Sequence, residues 1–215
     1  YPQSLNCNGL NCTLNSRVWK NNVLNSSRWI QDPTLRMYLP LDNDTLGRGS
    51  GKNAENYRTE KKSAVMGNGR SFNGINQYLN TTLRSLNVSF TISAWVFANS
   101  TSKDVAITKD NQASLRDFGF SLITTRFRFN LWNSTGSLTQ SSYTIADSTK
   151  KWRMYTAVVD SSAKRVYLYI NGSLVLTRSA FKGNAKMSGY PIFTGRDAVG
   201  YFNGSIDEVL IYNSS

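Results

Sequence analysis

Histidine is absent from the 215 residues. The side chain that titrates nearest neutrality and most often ligates metals is therefore missing, which excludes Ser-His-Asp, Cys-His and histidine-zinc chemistries. Cysteine occurs twice, as Cys7 and Cys12 in "CNGLNC". Two are too few for a four-thiolate zinc site, and the spacing is not that of a C-x-x-C redox motif. Glutamate is nearly missing too, with Glu55, Glu60 and Glu208 the full set. No apolar run approaches the roughly 20 residues needed to cross a bilayer, so no membrane span is expected. Acidic residues are scarce as a class: 25 Lys+Arg stand against 13 Asp+Glu, a net charge of +12. That balance favours polyanionic neighbours such as acidic glycans, nucleic acid or an anionic surface, and says nothing about fold.

Asparagine followed two positions later by Ser or Thr is abundant by contrast. Such triplets begin at Asn11, Asn25, Asn43, Asn80, Asn87, Asn99, Asn133, Asn171, Asn203 and Asn213. Random order of 23 Asn and 45 Ser+Thr would give about five, so ten is a doubling. The expected class is a secreted, N-glycosylated protein at the cell surface. In that oxidising compartment Cys7 and Cys12 are expected to form a small local disulfide. Extracellular placement also argues against nucleic acid as a partner.

The first 35 residues are Asn-rich, with Trp19 and Trp29 and no sustained periodicity, and read as an irregular arm ending near "DPT". Residues 36–215 break into short alternating runs separated by Gly, Asn, Asp and Ser, with no helical stripe longer than a turn or two. The clearest is "KRVYLYINGSLVLTR", two alternating runs joined through Asn171-Gly172, residues that suit a tight hairpin turn. The expected class is all-β.

In order, "LRMYLPLDND", "GRSFNGINQYLN", "FTISAWVF", "KWRMYTAVVD", "VYLYINGSLV" and "GYFNGSIDEVLIYN" resemble the laminin-G-like, concanavalin A-like jelly-roll family over about residues 35 to 213. The resemblance implies a two-sheet antiparallel β-sandwich serving adhesion or carbohydrate recognition, with glycans or surface glycoproteins as partners. Many relatives carry Ca²⁺. Where the family often has "FDGxxDY", this chain has Phe72, Asn73, Gly74, Ile75, Asn76, Gln77 and Tyr78, two carboxylates having become amides. Asp42, Asn43 and Asp44 remain possible calcium ligands, with a polar turn the simpler reading. No other metal or cofactor is expected.

The adjacent acids Asp207 and Glu208 raise the question of catalysis. Strand alternation puts Ile206, Glu208, Leu210 and Tyr212 on one face and Asp207, Val209 and Ile211 on the other, so the two acids cannot share a substrate. Glycoside hydrolysis requires paired carboxyls about 5 to 9.5 Å apart, and no E-x-D-x-E or E-x-x-E spacing occurs. Hydrolase activity is therefore disfavoured, and the resemblance treats "IDEVLIYN" as a closing strand. "GRGSGKN" at 47–53 lacks the spacing of a phosphate-binding loop. A binding face is expected where Arg126, Arg128 and Trp132 point outward from one strand and Tyr167 and Tyr169 from another, provided both strands share a sheet. The alternative to a glycan-binding module is a structural subunit of a surface layer or filament, a homo-oligomer or polymer assembling through the arm.

Overall fold

The computed structural model describes residues 32–47, 52–100, 104–111, 115–123, 125–146 and 149–215, together with the backbone of four short strands before residue 25. The chain divides into two compact units, Tyr1–Pro33 and Thr34–Ser215. In the first, β1 (Asn6–Asn8) pairs with β2 (Asn11–Thr13) and β3 (Trp19–Lys20) with β4 (Val23–Leu24), both antiparallel. The stretch expected to be irregular thus contains two small hairpins. The first sets Cys7 opposite Cys12. Facing residues of an antiparallel pair have Cα atoms about 4.5–5.5 Å apart, a separation a disulfide spans; the two sulfur atoms lie outside the described residues.

The second unit is a two-sheet antiparallel sandwich with the jelly-roll architecture, and no helix occurs among its described residues. One sheet runs in the order β17 (Ser173–Ser179), β16 (Arg165–Ile170), β15 (Arg153–Asp160), β10 (Phe90–Ala98), β19 (Asn203–Tyr212), β8 (Asn68–Asn73), β7 (Glu60–Ser63), with β5 (Leu35–Leu39) also on β19. The other runs β14 (Leu138–Thr144), β13 (Arg126–Trp132), β12 (Arg116–Ile123), β11 (Asp104–Asp110), β18 (Phe193–Thr194), β9 (Tyr78–Thr81), β6 (Ala54–Tyr57). Period-two alternation builds the core: Phe127 and Phe129 of β13, Phe118 and Phe120 of β12, Phe90 of β10 and Tyr155 of β15 are all fully buried. Their rings pack at centroid distances of 5.0 to 6.3 Å, each burial contributing about 1.5–3 kcal/mol. The β16–β17 turn takes φ of 51° at Asn171 and 80° at Gly172, the positive angles that a two-residue hairpin demands.

The closing strand departs from simple alternation. Along β10 and β19, Ser93 faces Leu210 while Trp95 faces Asp207, so two residues of β19, Glu208 and Val209, lie opposite the single Ala94. Glu208 takes up this bulge with φ 52°. The bulge reverses the parity expected from sequence: Ile206, Val209 and Ile211 all enter the core, fully buried, while Asp207 shares the outward side with Leu210.

Burial makes both acids structural anchors. Asp207 is 0% exposed, and its carboxylate accepts the Glu208 N–H at 2.9 Å and the Met66 N–H at 3.1 Å. Glu208 accepts the Tyr38 hydroxyl at 2.6 Å, tying β19 to β5.

Candidate functional site

Register fixes what the seven-stranded sheet shows on its outer side. Gln140, Asn130, Gly119, Thr108, Phe193, Asn80 and Glu55 face one another in turn, one from each strand. A Cβ at Gly119 would meet nothing closer than the Asn130 Cβ at 4.0 Å, so bare backbone floors the strip between Asn130 and Thr108. The adjacent row is Ser142, Arg128 and Ser121. Here Arg128 Nε and Ser142 Oγ lack any hydrogen-bond partner, as does Asn80 Oδ1 in the first row. Buried polar atoms normally find partners, so these three, each shielded from solvent, are exceptions beneath this sheet face.

One end of the strip is aromatic. Tyr57 and Tyr78, a facing pair of β6 and β9, stack with centroids 4.3 Å apart and planes 7° from parallel. Phe193 meets Tyr78 edge-on at 5.9 Å, and Tyr190 meets Phe193 at 5.6 Å. The Arg196 guanidinium lies 4.8 Å from the Tyr78 ring centre and 4.7 Å from that of Phe193. Tyr57 is 40% exposed, which leaves it as a ring platform beside the polar strip. Its hydroxyl donates to Glu55 Oε2 at 3.1 Å, and Asn80 Nδ2 donates to the same oxygen at 3.3 Å. The hydrogen bond to Glu55, with that carboxylate's charge, holds the Tyr57 hydroxyl above the usual tyrosine pKa, so it stays a phenol at ordinary pH.

Backbone geometry at Gly195 carries Arg196 over this cluster. Gly195 has φ 86°, its N–H donates to Ala106 O at 2.8 Å, and its carbonyl accepts the Phe202 N–H at 2.9 Å. Asp197 then caps a tight loop by accepting the N–H groups of Val199 and Gly200 at 2.8 and 2.7 Å.

The face expected from sequence is not assembled. Arg126 and Arg128 do point outward from β13, but β16, which carries Tyr167 and Tyr169, belongs to the other sheet. The two sets therefore lie on opposite sides of the sandwich. Trp132 is buried, with the Arg116 guanidinium 5.5 Å over its ring and its carbonyl accepting the Lys186 N–H. Strand alternation gave the outward parity of β13 correctly; nothing local marks which strands become neighbours. The platform residues Tyr57, Tyr78, Phe193 and Arg196 were missed, since long-range pairing alone brings them together.

The two carboxylates considered for calcium both hold backbone N–H groups. Asp42 accepts the Asn68 N–H at 3.1 Å and Asp44 the Leu46 N–H at 2.9 Å, each carboxylate bracing a turn. Among the described residues no three His, Cys, Asp or Glu side chains group together; calcium also takes amide and backbone oxygens.

The glycan acceptors differ in access. Asn43, Asn87, Asn99 and Asn171 are exposed, and Asn80, Asn203 and Asn213 half-buried; the side chains of Asn11 and Asn25 lie outside the described residues. Asn133 is buried: its Nδ2 donates to Lys182 O at 2.8 Å, while its Oδ1 accepts Thr135 N, Thr135 Oγ1 and Ser137 N. A sugar on that nitrogen is incompatible with this fold. Peptide mapping of native protein is expected to find glycan at the exposed acceptors, none at Asn133, and Cys7 joined to Cys12. Bare asparagine at every acceptor would remove the glycoprotein reading, and free thiols the disulfide.

The family model described as the concanavalin A-like lectin/glucanases superfamily, Laminin_G_3, matches residues 73–215. The chain belongs to that superfamily. No curated protein matches it. Among solved structures, it is similar to the binding domain of Paraclostridial Mosquitocidal Protein 1, at 17% identity and TM-score 0.69 over 85% of this chain and 49% of that one. Domain 4 of AbnA, a GH43 extracellular arabinanase from Geobacillus stearothermophilus, solved with arabinotriose, matches at 18% identity and TM-score 0.64 over 84% and 93%. A structure of botulinum neurotoxin type C, whose cell entry is described as dependent on two ganglioside molecules, matches at 17% and TM-score 0.66 over 85% and 48%. The chain spans about half the length of the toxin domains it matches. These likenesses are of fold.

Proposed function

We propose that this superfamily member is a non-catalytic, extracellular, glycosylated module that binds carbohydrate on the outer side of its seven-stranded sheet. The observation that carries the reading is the strip just described: an exposed tyrosine platform and a guanidinium on the same sheet face as the amides of Gln140, Asn130 and Asn80. Sugar rings present C–H faces that stack on aromatic rings and hydroxyls that bond to amide, carboxylate and guanidinium groups. Glu55 is the one carboxylate in the seven-residue row, and the adjacent acids of β19 are spent on the fold, so a two-carboxyl hydrolytic arrangement has no support in it. The net charge of +12 favours acidic sugars. The arabinotriose and ganglioside named for the fold neighbours support carbohydrate as the ligand class.

A glycan array carrying neutral and uronate-containing oligosaccharides tests this. Against the best ligand, Tyr57→Ala should lose about 1 kcal/mol or more, with weak salt dependence, whereas Arg196→Ala should lose mainly a salt-sensitive part. Unchanged binding by both folded variants would move the site off this face.

A further inference from the structure

An aromatic residue stands two positions before four of the ten glycan acceptors: Tyr78 before Asn80, Phe97 before Asn99, Tyr169 before Asn171 and Tyr201 before Asn203. With 12% aromatic residues, random order would give about one such case among ten acceptors. Side chains two apart on a strand share a face, so ring and acceptor can lie side by side. One pair of the four is free to use this. Asn80 is half-buried, its Oδ1 sealed from solvent. Asn171 leaves its strand in the turn, with φ 51°. Asn203 is half-buried, and the Tyr201 ring already has the Arg196 guanidinium 6.0 Å away.

Asn99 is exposed, just past the end of β10. Ala98 is 0% exposed and enters the core, so Phe97 and Asn99 both lie on the outer side of the sheet that contains β10. The Asn99 N–H continues the ladder by donating to Asn203 O at 2.9 Å, and its Nδ2 donates to Asn203 Oδ1 at 3.0 Å. An N-linked sugar replaces one of the two Nδ2 hydrogens. The other can keep that bond, which fixes where the sugar begins. Phe97 packs against Trp152 with centroids 5.7 Å apart, and Trp95, two residues earlier on the same face, stands opposite Met154. All four side chains are only half-buried.

We propose that the glycan on Asn99 folds back along β10 and stacks on Phe97 and Trp152, so that the chain's own first sugars cover this apolar patch. The inference rests on the glycoprotein reading above and concerns the opposite side of the sandwich from the seven-stranded strip. Sugar rings offer C–H faces that aromatic rings accept. Covalent attachment makes the contact intramolecular, so weak stacking suffices to fill it.

Peptide mapping of native protein should find Asn99 occupied. Urea unfolding of protein secreted from a glycosylating host then compares the parent, Thr101→Ala, Phe97→Leu and the two changes together. Thr101→Ala removes the acceptor signal while leaving Asn99 and its bond to Asn203; Phe97→Leu keeps apolar bulk without a ring. In fully glycosylated parent background, Thr101→Ala should raise the unfolding equilibrium constant about threefold or more, and in the Phe97→Leu background by clearly less. Equal cost in both backgrounds, or no cost in either, overturns the proposal. Bare Asn99 beside occupied acceptors elsewhere overturns it alone, whereas bare asparagine at every acceptor removes the glycoprotein reading with it.

Discussion

Replacing Asp117 with alanine should remove about 3–5 kcal/mol of folding stability, read from urea unfolding. Asp117 and Lys109 are both 0% exposed and 2.9 Å apart. The Lys109 ammonium also donates to the carbonyls of Ser188 and, at 2.7 Å, Tyr190, while Asp117 accepts Ser188 N at 2.7 Å and Ser188 Oγ at 2.8 Å. The pair thus fastens the segment leading to β18 onto the β11–β12 hairpin, and its loss strands a buried charge. Burial lowers the Lys109 pKa, with Asp117 opposing that fall. Between the lowered folded value and the unfolded value the unfolded chain holds more protons, so this group's contribution to stability rises with pH across that window. Without Asp117 the window should widen downward. Replacing both, Lys109→Met with Asp117→Leu, should recover much of the loss, because no uncompensated charge remains. A loss below about 1 kcal/mol for the single variant would contradict this account.

Architecture was largely legible because alternation is local. "RFRFNLW" declares Phe127, Phe129 and Leu131 as core by spacing alone, and all three are buried. Asn171-Gly172 declares its turn by the same kind of local chemistry. What failed was long-range or irregular. Nothing in "SIDEVLIY" marks a bulge at Glu208, since the cause is a partner strand, β10, more than 100 residues earlier. The sheet membership of β13 and β16 likewise depends on which strands pair, so two outward faces that look continuous in sequence ended on opposite sides. The platform could have been sought through the exposed parity of Tyr57 and Tyr78, but Arg196 and Phe193 reach them only through the β18–β9 contact.

Gly195→Ala should couple fold and site most directly, abolishing binding and destabilising the sandwich by at least about 3 kcal/mol through overpacking and strained backbone together. A Cβ at Gly195 would sit 2.3 Å from Cδ1 of Phe72, and the residue's φ of 86° is one that side chains rarely adopt. Phe72 cannot easily yield, being 2% exposed and packed edge-on against Phe202 at 5.9 Å. The backbone would have to lift instead, breaking the Gly195 N–H bond to Ala106 and moving Arg196, which follows it, and Phe193, two residues before it, off Tyr78. Phe72→Ala in the same chain separates the two causes. It removes the clash but not the left-handed strain, and it opens a cavity of its own. The double variant should therefore be less destabilised than the sum of the singles, by a coupling of about 1 kcal/mol or more. Strictly additive losses would mean that the Phe72 contact is not what requires glycine, and parent-like melting of Gly195→Ala would show that the strip tolerates movement of its arginine loop.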